Sequence, residues 1–154
     1  MEQYRNTALY VEKARLLLEA GEQVPLPVQG GSMAPFLVNR RDQVWLEKPE
    51  PPIRVGDMLL YQRESGQYIL HRVSRIRPDG EMTMIGDAHS VREPGIRPGQ
   101  VLGRVVRVCR KGKLLEPGSF VWEFFAKVWI RMIPVRRPVM KMVTGIRKLF
   151  RRKQ

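Results

Sequence analysis

From "QVPLPVQGG" onward the chain never holds one pattern for long. Short apolar or alternating runs, "DQVWLE", "DMLLYQR", "YILHRVSRI", "EMTMIG" and "QVLGRVVRV", are cut by Gly, Pro and Asp clusters such as "RPDG" at Arg77–Gly80. Runs this short are strand-length, and turn residues this frequent reverse the chain tightly, so the stretch predicts a compact, mainly antiparallel β-domain. Helices do not alternate with the strands, which argues against a doubly wound parallel sheet. There is no internal repeat.

Helical periodicity flanks this region on both sides. Ala8, Val11, Ala14, Leu17 and Leu18 recur at three and four spacing and Gly21 comes just after them, which predicts an amphipathic helix over residues 3–20 with a glycine stop. After "EPGS" (Glu116–Ser119), "FVWEFFAKVWIRMI" sets Glu123, Lys127 and Arg131 on one stripe and Trp122, Phe125, Trp129 and Ile133 on the other. Pro134 and Pro138 interrupt it, and "VMKMVTGIRKLFRRKQ" opens a second amphipathic stretch with Val139, Met142, Val143, Ile146, Leu149 and Phe150. Residues 1–118 therefore read as the β-domain with its helix, and residues 119–154 as a basic helical tail.

Charge separates these parts. The 154 residues carry a net charge of +13. Residues 119–154 hold ten basic side chains and one acidic one, whereas the first 118 hold 18 and 14. The surplus favours an anionic partner, and the tail, with Trp122, Trp129 and a basic end, is a candidate for peripheral contact with an anionic membrane. The other reading packs Trp122, Phe125 and Trp129 on the β-domain and leaves the basic end in solvent. Nucleic acid is not expected, because no aromatic-basic platform accompanies the charge. No apolar run of spanning length occurs, and the N-terminus, with acidic residues throughout, is not a secretory signal. That places the chain in the cytoplasm or at the periphery of the cytoplasmic membrane. The single cysteine, Cys109, excludes an internal disulfide and Cys-rich metal sites and reads as a half-buried strand residue; no metal or other cofactor is called for.

The chemistry-bearing stretch is "GGSMAPFL", Gly30–Leu37. Two glycines let the backbone bend and approach another group, Pro35 stiffens the chain beyond, and Ser32 stands between them. A serine in such a loop is ordinarily a turn or capping residue. As a nucleophile it needs a base within hydrogen-bond reach, and histidine has the right intrinsic pKa. His71, inside the alternating run "YILHRV", can be held rigidly; His89, in the polar loop "GDAHSV", is held less firmly. Asp87 and Glu93 are the nearby carboxylates that could orient the base.

Taken in order, "GGSMAPFL", "VGDMLLYQ", "YILHRV", "MIGDAHSVREPG" and "VLGRVV" resemble the successive boxes of the signal peptidase I superfamily, which includes the LexA-type self-cleaving repressors. The resemblance spans roughly residues 26–108. Bacterial type I signal peptidases open the "HRV" box with lysine; histidine there is the pattern of the endoplasmic-reticulum and archaeal-type branch. The resemblance implies a serine endopeptidase with Ser32 as nucleophile and His71 as general base. It implies Asp87 and Glu93 as catalytic acids, Glu93 standing where the branch has aspartate, and Gly30, Gly31, Met33 and Pro35 as substrate-binding positions. Many relatives have serine where this chain has Gly30, which leaves the oxyanion to backbone amides. The "GD" pair expected after the serine box is replaced by "NRRD", where Asp42 keeps a turn-and-strand role. A peptide or protein substrate, such as a leader or precursor peptide, is the implied partner. A LexA-like self-cleaving regulator and an inactive relative serving as a membrane-surface module are the alternatives.

Overall fold

The computed structural model describes residues 2–151. Helix α1 (Glu2–Glu19) precedes strands β1 (Val24–Pro27), β2 (Gln43–Glu47), β3 (Met58–Gln62), β4 (Tyr68–Ile76), β5 (Met82–Ile85), β6 (Glu93–Ile96), β7 (Val101–Arg110) and β8 (Lys113–Leu115). A short helix α2 (Phe120–Glu123), a π turn over Phe124–Val128, two 3-10 turns and helix α3 (Arg136–Arg151) complete it. All strand pairs are antiparallel, in the order β1-β2-β7-β3-β4-β5-β6, with β8 beside β7. The mainly antiparallel β architecture with flanking helices is the one expected.

Helix α1 ends where Gly21 takes φ +85° and the Gly21 and Glu22 amides bond back to the Leu18 and Leu17 carbonyls. That is the Schellman closure a glycine permits without side-chain strain. Val11, Ala14 and Leu18 face the core; Leu17 lies outside the buried stripe.

Strand β3 is buried on both faces. Met58 and Leu60 join one apolar cluster, with α1, β2, β7 and the C-terminal turns, while Leu59 and Tyr61 join a second with Val73, Met82, Met84 and Ile96. The unbroken run "MLLY" is the sequence mark of this double burial. Strand β4 runs beside it with His71 opposite Leu59, so His71 belongs to the second face and Arg72 to the first.

The segment after Ser119 forms several short turns rather than one helix. Trp122, Phe125 and Trp129 are buried; the Phe36 ring lies 4.9 Å from Phe125 and 6.1 Å from Trp122, and Trp129 packs on Phe125 at 5.7 Å. These aromatics therefore pack on the β-domain and are not available as an interfacial belt. The π turn allows both Trp129 and Ile130 to turn inward, which a regular 3.6-residue period gives less readily. Among the described residues no helix is long and apolar enough to cross a membrane. The last residues, 152–154, and the side chain of Phe150 lie outside the described part.

Candidate active site

Ser32 sits in a run of turns that its neighbours fix from behind. Met33, Phe36 and Leu37 are buried, the Leu37 amide bonds the Met33 carbonyl, and Arg110 on β7 donates to the Phe36 and Pro35 carbonyls. Asp42 closes the loop: its buried carboxylate accepts from the Val38 and Lys111 amides and from Arg41, all of which hold its pKa below the usual range against the opposing pull of burial. This is the turn-and-strand role. Gly30, at φ +73°, supplies the left-handed bend before the serine.

His71 is 4 % exposed and projects from β4 toward the same loop. The link is Gly86, just after β5. A methyl group placed on Gly86 would lie 2.5 Å from the Ser32 carbonyl oxygen, 2.9 Å from His89 Nδ1 and 3.1 Å from His71 Nε2. Ser32 and His71 thus border one small space that only glycine leaves open. The Ala88 amide donates to the Ser32 carbonyl at 2.9 Å and ties the two loops together. No hydrogen bond joins Ser32 Oγ to His71 among the described residues. The Ser32 amide donates to no partner among the described residues, which leaves it free for a bound oxygen.

The far side of the imidazole is organised by Glu93 together with two groups the sequence did not single out, Tyr61 and Arg63. Tyr61 Oη lies 3.3 Å from His71 Nδ1 and donates to Glu93 Oε2 at 2.8 Å. Arg63 grips both oxygens of Glu93, at 2.6 and 2.8 Å. Arg63 above all, then Tyr61, holds Glu93 below the usual carboxylate pKa despite partial burial, so it is ionised. Burial, with the bond to Glu93, pushes the Tyr61 phenol upward and keeps it protonated. Since the phenolic proton points at a carboxylate, the oxygen accepts from His71 Nδ1–H. That fixes the tautomer with its lone pair on Nε2, the nitrogen beside Gly86 and Ser32. Burial, assisted by His89 and Arg63 and opposed by Glu93, lowers His71 to about 4, so the ring is neutral at pH 7. Its 3.9 Å approach to Glu93 is therefore not an ion pair at that pH.

The two acids named from sequence part company here. Glu93 reaches His71 through Tyr61. Asp87 is fully buried and gives both oxygens to Arg72, at 2.8 and 3.0 Å, while Arg72 also bonds the Gly56 carbonyl and lies over the Phe36 ring. Asp87 makes no bond to His71; what it does is hold the Gly86–His89 loop to the sheet. The same loop is held from the C-terminal side. Trp129 Nε1 donates to the Asp87 carbonyl, and buried Arg136 donates to the carbonyls of Gly86, His89 and Trp129. His89 is exposed, with its ring edge-on to His71 at 5.4 Å.

A groove of about 1090 Å³ runs from Ser32 between α1, β1 and the start of β4. Leu26, Val28, Leu60, Tyr68 and Leu70 line it, and Gly30, Gly31 and Met33 form the end at the serine. Pro35 is not part of the lining. Strand β1 is one edge of the sheet, but its Pro25 carbonyl is taken by Tyr10 Oη and its prolines lack N–H donors; β4 pairs with β5 only from Arg72 onward, so Tyr68–His71 offers an unpaired edge. An extended chain laid in the groove meets the unpaired Tyr68–His71 edge on one side. Among the described residues no cluster of His, Cys, Asp and Glu is gathered to hold a metal ion.

No protein-family model matches the chain, and no curated protein sequence is detectably similar to it.

Proposed function

We propose that the chain is a serine endopeptidase of signal-peptidase-like type that cleaves a leader or precursor peptide bound in extended form along the Leu26–Tyr68 groove. The carrying observation is that the Ser32 carbonyl oxygen and His71 Nε2 border the same space at Gly86 while Nδ1 is engaged by Tyr61. In the reaction Ser32 Oγ attacks the scissile carbonyl and its proton passes to His71 Nε2. The tetrahedral oxyanion takes a hydrogen bond from the Ser32 amide. His71 then protonates the leaving amine, and a water activated by the same nitrogen releases the acyl group from Ser32. In the free site His71 is a weak base. The negative charge that develops on the oxyanion, with Glu93 two bonds behind, favours the imidazolium at the moment it forms. Tyr61, Glu93 and Arg63 act as positioning residues through the ring. Work in the cytoplasm or at the cytoplasmic membrane face fits a chain without a spanning helix among its described residues.

Labelling with a fluorophosphonate serine probe tests this. Ser32→Ala is expected to abolish labelling and His71→Ala to slow it about 10³-fold, the scale of a lost general base. Labelling unchanged in His71→Ala overturns the dyad. An inactive relative would show no Ser32-dependent labelling at all. Self-cleavage of the purified chain, blocked by Ser32→Ala, would favour the self-processing reading.

A further inference from the structure

Helix α3 carries six basic residues and no acidic one. Only its start is packed: Arg136 is buried and Val139 and Met140 touch the core, but every residue from Lys141 to Leu149 is exposed, whichever way it faces. At about 100° per residue, Met142, Val143, Ile146 and Leu149 fall on one continuous side. Lys141 and Arg147 flank the borders of that side, and Arg137 and Lys148 lie opposite. Met142 is 60 % exposed and Leu149 66 %. An isolated helix of about 12–15 residues is marginal in water, so an apolar stripe this clean calls for a surface to bury it.

We propose that α3 is an interfacial helix that lies on an anionic lipid bilayer, with Met142, Val143, Ile146 and Leu149 immersed and Lys141 and Arg147 at the headgroups. Charge selects this occupant over a second copy of the chain. Pairing two α3 stripes would bring two sets of cations together with no acidic residue in either helix to offset them. A bilayer bearing phosphate and carboxylate groups neutralises them instead. The proposal is independent of catalysis, because no residue of the stripe touches the Ser32–His71 site.

The test is co-sedimentation of the full chain with vesicles of phosphatidylcholine alone and of phosphatidylcholine mixed with phosphatidylglycerol. Binding is expected only with the anionic lipid, weakened by high salt. The double variant Met142→Asp/Ile146→Asp is expected to lose at least tenfold in affinity. Removing charge one residue at a time, by Lys141→Gln and Arg147→Gln, is expected to weaken binding about fivefold per residue. Ser32→Ala should bind as the parent does. Because the substituted residues are exposed, near-UV circular dichroism should be unchanged in each variant. Equal binding to both vesicle types, no binding to either, or full binding by the aspartate variant would each overturn the proposal. So would self-association in sedimentation velocity that the aspartate variant abolishes while vesicles bind neither protein.

Discussion

Residues 120–135 and 136–149 look alike as text and meet opposite fates. Both alternate apolar and basic residues at helical spacing. In the first, Trp122 and Phe125 are buried against Phe36, and Trp129, packed on Phe125, is only 3 % exposed. In the second, Lys141 to Leu149 stand clear of the domain. The difference lies in residue size and in partners. Three large aromatics bury enough area to be drawn onto the sheet and carry an indole N–H that finds the Asp87 carbonyl. The thin Met, Val, Ile and Leu stripe of α3 has no facing surface among the described residues. Periodicity reports that a side is apolar; it does not say what covers it.

The sharpest way to break this contrast is Trp129→Ala. It removes a buried ring together with the bond that pins the Asp87 carbonyl, so a loss of about 4 kcal/mol is expected in urea unfolding, with activity falling as the Gly86–His89 loop loosens. Unfolding near the parent midpoint would show that the aromatic segment is only laid on the domain.

Acid comes next, because the loop that the packed segment holds lies against His71. The ring has a folded pKa of about 4, below its usual 6.5. Between those values the unfolded chain binds more protons than the folded one, so His71 stabilises the fold above about pH 6.5. That contribution, about 3 kcal/mol, is lost as pH falls toward 4. A urea series across this range should show the drop, and His71→Gln should flatten it. The acid limb of kcat/KM, which reports the free enzyme, is expected near pH 4 rather than near 6.5.

Arg136→Met probes the joint between the two segments. It removes a donor from three carbonyls, of which Gly86 and Trp129 keep the His89 and Met132 amides, while relieving a buried charge, with a net loss of about 2 kcal/mol expected and a larger proportional loss of activity than of stability. Ile146→Ala, in the exposed stripe, should change stability by no more than about 0.5 kcal/mol. A larger loss would mean that α3 packs on the domain in solution.

How much of this was legible in the sequence depended on which interaction decided each part. Strands β2, β3, β4, β5 and β7 were readable because burial writes an apolar or alternating run. Strands β1 and β6 were not, since "VPLP" and "EPGI" carry prolines and a left-handed Gly95 that only edge strands tolerate. At the site, the residue types of Ser32, His71 and Glu93 could be singled out, and "GDAH" held the glycine that brings serine and histidine together. Tyr61 and Arg63 could not be placed, because their partner Glu93 lies about 30 residues away and is brought to them only by the β3–β4–β5–β6 order. Asp87 and Glu93 looked equivalent as loop acids. Their fates split because Arg72, directly after His71, points to the other face of β4 and takes Asp87 with it.

Arg136 gives the contrast a mechanical side. Its backbone begins the exposed helix, and its guanidinium grips two carbonyls of the loop beside the histidine. No slack linker separates the two, so torque applied to the helix arrives at the Gly86–His89 loop through that side chain.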